Sequence, residues 1–429
     1  MSTTPPRIGL ILTGGGARAA YQVGVLSTLA NMACEAGIRT ASPFRIIAGT
    51  SAGALNAAAL AGRADDFRSA TDELLQTWSS MQADQVYRTD SLGLFRTGIP
   101  WLGMLTLGWA LSRWPGLQPR SLLDNRPLAQ LLARMIRIER VQDMLSAGHL
   151  DALAVTASSY TTGQHITFYD SPHPIHPWTR TQRIAERTPI GMNHLLASAA
   201  IPFVFPAIAL RVQGTSQWCG DGAMRQIAPI SPAIHLGADR VMVIGSGRLQ
   251  SPDDQPALQD LHYPSVAQVA GQALSNIFLD SLAVDIERLQ RINATLALIP
   301  PEQRQRTPLR PVQALIIAPS QRLDDLAGAH FDQMPRTLRT LLRGIGVGPK
   351  SGTGAALTSY LLFQQSYTRE LIRLGQTDAL ARRTDIRSFF GWDDLPISAL
   401  SSGGEPLLRP SSLSPCPVAP QPVPDRPHR

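Results

Sequence analysis

The pattern of apolar and polar residues predicts two consecutive strand–helix units near the start of the chain. Apolar runs at 7–13 and 44–49 are typical of short buried strands, and each run is followed by a segment with apolar residues at helical spacing. Strand, helix, strand and helix in this order indicate a βαβ unit, whose two strands pair in parallel.

Further apolar runs extend this pattern through the first three quarters of the chain. They predict strands in "DALAVTASSY", "HITFYD", "RVMVIGSG" (240–247) and "VQALIIAPS" (312–320), with helices between most of them. We therefore expect an α/β fold of three layers, built on a mostly parallel central sheet.

The pattern changes after residue 320, which suggests the domain organisation. Residues 1–320 are predicted to form one α/β domain, with its core motifs in 7–247, and 321–394 to form a C-terminal helical extension packed on it. Residues 395–429 are rich in proline and serine and have no apolar periodicity, so we predict a disordered tail.

Composition and charge narrow the range of partners. Of 429 residues, 44% are hydrophobic and 17% are charged, as in folded globular proteins. The net charge is +7 and the only lysine is Lys350, so arginine provides nearly all of the positive charge. Such an excess favours polyanionic partners. Since no motif combines basic and aromatic residues as nucleic-acid readers do, we expect an anionic membrane surface and no nucleic acid.

Cysteines and the N-terminal residues indicate the compartment. Cys34, Cys219 and Cys416 are too few and too dispersed for a disulfide framework, and their spacing fits no zinc site. The first apolar run lacks the preceding basic residues of a cleaved signal peptide. These observations predict a cytoplasmic protein, peripheral at the inner face of the membrane.

The first candidate for chemistry is a Gly-x-Ser-x-Gly sequence, Gly49-Thr50-Ser51-Ala52-Gly53, at the junction of the second strand and the second helix. In a nucleophile elbow the serine occupies a strained turn, so tight that side chains two residues away on either side would collide. Glycine at both flanking positions is what this geometry requires. The motif predicts that Ser51 is a nucleophile.

A second candidate is the run Gly14-Gly15-Gly16-Ala17-Arg18 between the first strand and the first helix. Consecutive glycines leave backbone N–H groups unobstructed beside a helix N-terminus, which suits an anion. A developing oxyanion on an ester carbonyl is one such anion.

The same glycines also fit a dinucleotide-binding fingerprint, Gly14-x-Gly16-x-x-Ala19. That fingerprint requires an acidic residue about 20 positions later, at the end of the second strand. Glu35 has the right count but falls in or just after the first helix, whereas the second strand leads into Ser51. The nucleotide hypothesis therefore leaves both features unexplained.

A nucleophilic serine needs a base, and the histidines after Ser51 lie in positions typical of structural or solvated side chains. Among these histidines are His173, His176, His194, His235 and His428. Among the carboxylates, Asp221 is distinctive because Gly220 and Gly222 allow the chain to bend closely around it. Taken alone, this sequence also fits an ordinary Asp-Gly turn at the end of a strand.

Four blocks in this order resemble those of the patatin-like phospholipases, over roughly residues 7–320. They are "LTGGGARAAYQVGVL", "GTSAG", "ASAAIPFVFPA" (197–207) and "DGAMRQIAP" (221–229). The resemblance implies an α/β fold related to the α/β-hydrolases and a Ser-Asp dyad without a catalytic histidine. It implies no metal and no organic cofactor.

The resemblance also implies residue roles. Ser51 would be the nucleophile and Asp221, in the Asp-Gly-Ala sequence with Gly222 and Ala223, its base. The loop Gly14–Arg18 would form the oxyanion hole, with N–H groups of Gly15, Gly16 and Ala17 as donors and Arg18 at the basic position beside them. Ala19 departs from the family, which usually has glycine there.

Other side chains near the predicted site have two interpretations each. Phe203 and Phe205 would line an acyl groove or simply pack in the core. The stretch 94–117, with Trp101, Trp109 and Trp114, is too short and too rich in glycine to span a membrane. It would form an interfacial or lid segment above a lipid site, or a buried helix and loop.

The leading hypothesis is a serine acyl hydrolase of the phospholipase A or lysophospholipase type, which acts through an acyl-serine intermediate. We expect partial burial near Trp218 and Cys219 to raise the basicity of Asp221. Two alternatives stay open at this point: a lipid-binding or scaffold protein that lacks turnover, and, less favoured, a dinucleotide-binding oxidoreductase.

Overall fold

A computed structural model describes residues 5–38, 41–88, 121–248, 266–304, 306–344 and 354–393. Its sheet contains the strands β1 (Ile8–Leu12), β2 (Ile46–Thr50), β3 (Ala152–Ser159), β4 (His165–Asp170), β5 (Thr179–Arg180), β6 (Arg183–Arg187), β7 (Ile208–Val212), β8 (Thr215–Asp221), β9 (Arg240–Ile244) and β10 (Gln313–Ile317). The six strands predicted from apolar runs are confirmed as β1, β2, β3, β4, β9 and β10.

The strands lie in the order β10-β9-β1-β2-β3-β4-β6-β5. Neighbours from β10 to β3 pair in parallel, and their side chains are largely buried, as expected for a sheet covered on both faces. The β3–β4 and β5–β6 pairs are antiparallel. A hairpin of β7 and β8 joins the sheet through an antiparallel pairing of β8 with the end of β3.

The described α-helices are α1 (Ala20–Glu35), α2 (Ala52–Ala61), α3 (Phe67–Ser79), α4 (Arg126–Met135), α5 (Arg140–Ser146), α6 (Met192–Ser198), α7 (Ser231–His235), α8 (Val266–Leu298), α9 (Pro301–Arg304), α10 (Leu323–Ala329), α11 (Arg336–Gly344), α12 (Gly354–Leu361), α13 (Gln365–Ala381) and α14 (Arg383–Phe390). Single 3₁₀ turns lie at Gly16–Ala19, Ala83–Gln85, Gly222–Arg225 and Phe331–Gln333.

Two apolar clusters, one on each face of the sheet, make the fold a three-layer α/β structure, as predicted. The larger cluster contains residues of α1 to α6 and of the C-terminal helices, together with one face of the strands. The smaller cluster joins the other face to α7 and to Leu282 and Leu289 of α8. Among the described residues no helix is long and apolar enough to span a bilayer.

The C-terminal helices belong to the larger cluster. Helix α13 crosses α1 where both helices have glycine: a Cβ atom at Gly24 would lie 2.0 Å from the Ile372 carbonyl oxygen, and one at Gly375 would lie 2.2 Å from that of Tyr21. The two backbones therefore touch. The predicted domain division at residue 320 stays a prediction, and residues 94–117 and 395–429 lie outside the described residues.

Candidate active site

Ser51 occupies a sharp turn between a strand and a helix. Strand β2 ends at Thr50 and helix α2 begins at Ala52, and Ser51 between them has φ 56° and ψ −132°. This conformation is unfavourable for a residue with a side chain and is the one that a nucleophile elbow imposes. Ser51 is 1% exposed, and its N–H donates to the Ser198 hydroxyl at 2.9 Å.

The two glycines around Ser51 are required by close backbone contacts. A Cβ atom at Gly49 would lie 2.5 Å from the Cα atom of Ala54, and one at Gly53 would lie 2.3 Å from the carbonyl oxygen of Leu12. Both contacts involve backbone atoms, which cannot move aside cheaply. The spacing of the motif thus follows from sterics in this chain.

Strand β3 brings Asp221 to Ser51 although 170 residues separate them. In the parallel β2–β3 pair Thr50 lies opposite Thr156, and in the antiparallel β8–β3 pair Asp221 lies opposite Ala157. Strands β2 and β8 run in opposite directions along the same side of β3, so their last residues meet. The Ser51 hydroxyl donates a hydrogen bond of 2.6 Å to Oδ2 of Asp221.

The Asp221 carboxyl group is fully buried and accepts two hydrogen bonds. Besides the bond from Ser51, Oδ1 accepts one of 2.9 Å from the Ala223 N–H. Burial raises the pKa of Asp221 to about 7, and the two hydrogen bonds oppose this rise. Trp218, expected to contribute to this burial, is instead 56% exposed, whereas Cys219 is buried.

The glycine loop begins a 3₁₀ turn beside the dyad. Gly16 has φ 55°, and a Cβ atom there would lie 2.4 Å from the carbonyl oxygen of Tyr360. A Cβ atom at Gly15 would lie 2.5 Å from the hydroxyl oxygen of Ser246, which itself donates to the Gly14 carbonyl oxygen. The first N–H groups of such a turn have no acceptor within it. Gly16 and Ser51 line the same cleft.

The Arg18 side chain is held by the C-terminal helices. It is 2% exposed, its Nε donates to the Ser359 hydroxyl at 2.7 Å, and its guanidinium lies 4.0 Å from the centre of the Tyr360 ring. It also forms an ion pair with Asp324 of α10. The Arg18 guanidinium therefore contacts α10 and α12, whereas the Arg18 backbone belongs to the glycine loop.

A buried polar chain that the sequence reasoning missed supports the start of the glycine loop. Nε2 of Gln22 donates to the Thr13 carbonyl oxygen at 2.8 Å, Nδ2 of Asn56 donates to Oε1 of Gln22 at 3.0 Å, and Nε1 of Trp78 donates to Oδ1 of Asn56 at 2.8 Å. Asn56 is the one polar residue of α2, which was the available signal; Gln22 gave no such signal, because α1 also contains Ser27, Thr28 and Asn31. Ser198, the one polar residue of "ASAAIPFVFPA", was missed as well.

An apolar cleft opens beside Ser51 and is narrow in this conformation, with a volume of about 30 Å³. Its walls include Leu55, Leu132, Ile201, Phe205 and Phe363. Phe203, also predicted for an acyl groove, is 72% exposed with φ 65° and is not among the lining residues.

Glu35 and His194 form hydrogen bonds with residues other than Ser51 and Asp221. Glu35, the candidate ribose ligand, lies at the end of α1 and accepts a hydrogen bond of 2.7 Å from Arg383. Nδ1 of His194 accepts from the Gly191 N–H at the start of α6. Within the described ranges no three His, Cys, Asp or Glu side chains cluster as metal ligands would.

Comparison with known proteins identifies a family whose model matches this chain. Residues 10–234 match the model of the patatin-like phospholipase family. Among solved structures, the human group IVD cytosolic phospholipase A2 is similar at 12% identity with a TM-score of 0.42, covering 90% of this chain and 60% of the human one. VipD from Legionella pneumophila is similar at 13% identity with a TM-score of 0.30, covering 86% of this chain and 67% of VipD. No protein of curated function matches the sequence.

Proposed function

Because the chain belongs to the patatin-like phospholipase family, we propose that it is a serine acyl hydrolase that cleaves fatty-acyl esters of membrane lipids. The observation that carries this proposal is the hydrogen bond of 2.6 Å between the Ser51 hydroxyl and the buried Asp221 carboxyl group, beside an apolar cleft. Phospholipids and lysophospholipids are the proposed substrates, and the arginine-rich composition supports catalysis at an anionic membrane surface.

In the proposed reaction, Asp221 accepts the Ser51 proton as the hydroxyl oxygen attacks the ester carbonyl carbon. The tetrahedral oxyanion receives hydrogen bonds from backbone N–H groups of the glycine loop. Collapse of this intermediate expels the alcohol, which takes the proton from Asp221, and leaves an acyl group on Ser51. Water, deprotonated by Asp221, then hydrolyses the acyl-serine and restores both side chains.

The raised pKa of Asp221 supports its role as a base. A carboxylate with an ordinary pKa near 4 is a weak acceptor for a hydroxyl proton, and burial makes this one more basic. Ser198, which accepts a hydrogen bond from the Ser51 N–H, would hold the elbow in place.

The experiment is activity-based labelling with a fluorophosphonate, followed by measurement of fatty acids released from mixed phospholipid vesicles. We expect labelling and release in the wild-type protein and neither in Ser51→Ala, with release in Asp221→Asn reduced at least about 10³-fold. Ser320→Ala, at an exposed serine outside the site, is the matched control and keeps both signals.

The same experiment separates the alternatives. A scaffold protein would show neither labelling nor fatty acid release, and release by Ser51→Ala would refute the dyad. Retention of NAD(P) on purification would instead favour the oxidoreductase, although Glu35 is engaged by Arg383.

A further inference from the structure

A row of basic side chains crosses β4, β6 and β5 on the face of the sheet that α7 and α8 cover. His165 lies opposite Arg183 in the β4–β6 pair, and Arg183 lies opposite Arg180 in the β6–β5 pair. Opposed residues of neighbouring strands point to the same face, so the three side chains are neighbours. They line one small cavity together with Thr167 and Ser231.

His165 has an unused hydrogen-bonding group at this cavity. The side chain is 4% exposed, and its Nε2 has no hydrogen-bond partner among the described residues. Burial, and next the nearby Arg183 charge, lower the pKa of His165 to about 4, which keeps the imidazole neutral at pH 7. Buried polar nitrogens almost always have a partner, so this one indicates a bound group.

Arg180 and Arg183 add positive charge beside His165, and one carboxylate, that of Asp285, acts on Arg183 electrostatically. Within the described part of the chain neither Arg180 nor Arg183 forms an ion pair with a carboxylate. The buried Asp285 of α8 faces this region, but it accepts a hydrogen bond of 2.9 Å from the Ile230 N–H and lies 3.8 Å from Arg288. Burial raises the pKa of Asp285, and the hydrogen bond from Ile230 and the charges of Arg288 and Arg183 oppose this rise.

The cavity lies on the opposite face of the sheet from the acyl cleft. The row of opposed residues continues from His165 through Ser158 of β3 to Gly220 of β8. Asp221 is the next residue of β8, and successive side chains of a strand point to opposite faces. A ligand of the basic row would therefore not occupy the ester site.

We propose that His165, Arg183 and Arg180 form a binding site for the phosphate group of a ligand. The cavity volume of about 10 Å³ admits one water-sized group, which is the size of a single phosphate oxygen. That oxygen would form a hydrogen bond with the imidazole of His165. The other phosphate oxygens would contact the half-buried Arg183 and the exposed Arg180. Guanidinium groups bind phosphate through paired, charge-assisted hydrogen bonds.

The test measures binding directly, in the Ser51→Ala protein so that no ester is turned over. Inorganic phosphate is titrated by calorimetry at constant ionic strength, with chloride as the balancing anion. We expect saturable binding that Arg183→Gln weakens at least about tenfold. Arg211→Gln, at an exposed strand arginine of β7, is the matched control and leaves the affinity unchanged.

A second arm identifies the source of the phosphate. Phosphatidylcholine vesicles with and without phosphatidic acid are sedimented with the same proteins. Binding that needs phosphatidic acid and Arg183 identifies a lipid headgroup, whereas an effect of Arg183→Gln on inorganic phosphate alone identifies a free phosphate. Absence of phosphate binding, or equal affinity in Arg183→Gln and Arg211→Gln, overturns the proposal and assigns only a water molecule to His165.

Discussion

Complete burial of the Asp221 carboxyl group determines how this side chain can act as a base. Desolvation disfavours the carboxylate and shifts the pKa to about 7, while the hydrogen bonds from Ser51 and Ala223 still favour the charged form. A pKa close to neutrality combines greater proton affinity with a substantial ionised fraction, which is the favourable range for general base catalysis. The proposed dyad would thus operate without an imidazole.

The pH dependence of activity follows from this pKa. Only the ionised carboxylate accepts the Ser51 proton, so kcat/KM should rise with pH, reach half its limiting value near pH 7, and be constant above about pH 8. The measurement is hydrolysis of a soluble short-chain ester from about pH 5 to about pH 9, which avoids effects of pH on a lipid surface. The Asp221→Asn protein provides the background rate, and a wild-type profile without a step in this range would contradict the assignment.

At the scale of single residues, sterics made the sharp turn at Ser51 predictable, whereas the environment of Ser51 was not predictable. Gly49 is required by the nearby backbone of Gly53 and Ala54, and Gly53 is required by the backbone at the end of β1, at Leu12. The depth of Asp221 depends on β8 pairing with β3, and the Ser198 contact depends on a helix 147 residues away from Ser51. No local pattern encodes such distances.

At the scale of elements, strands with an apolar run were predictable, including β4, which pairs antiparallel with β3, whereas the hairpin of β7 and β8 was not. Strands β1, β2, β3 and β9 are largely apolar because both of their faces are buried. Strand β8, "TSQWCGD", has exposed residues among its first four and almost no aliphatic side chain, so it gives no strand signal of its own. Its position is determined by its partners β7 and β3, and this pairing brings Asp221 to Ser51.

The contact of α1 with α13 provides a prediction about packing. In Gly24→Ala the new methyl group would lie 2.0 Å from the Ile372 carbonyl oxygen, so the helices must separate, at a cost of about 1–3 kcal/mol in the free energy of unfolding. Gly191→Ala is the matched control, because its φ is −121° and the nearest atom would lie 3.9 Å away. Chemical denaturation measures both variants; equal stability would show that the two helices are not in tight contact.

At the scale of the whole molecule, the C-terminal helices take part in the architecture of the site. Helices α10 and α12 hold the Arg18 side chain, the Tyr360 carbonyl oxygen lies against Gly16, and Phe363 lines the apolar cleft. The sequence predicted helices packed on the core. It could not predict their contact with the glycine loop, because Asp324 and Arg18 are 306 residues apart and nothing in the segment of Asp324 marks it as a partner of Arg18.

The ion pair of Arg18 with Asp324 makes this dependence testable. Removing the carboxylate leaves a guanidinium that is 2% exposed without its counter-ion, for which a loss of about 3 kcal/mol in the free energy of unfolding is expected. Since Arg18 shares its 3₁₀ turn with Gly16 and Ala17, a displaced side chain should also misalign the N–H groups proposed for the oxyanion.

We therefore expect Asp324→Ala to lower both stability and kcat, with a smaller change in KM, because an oxyanion contact is made mainly in the transition state. Asp325→Ala is the matched control, since that neighbouring carboxylate is 68% exposed and pairs only loosely with Arg322 at 3.8 Å. Denaturation curves and steady-state kinetics on a soluble ester measure the two effects separately. Loss of stability with unchanged kcat would mean that the C-terminal helices stabilise the fold but do not position the glycine loop.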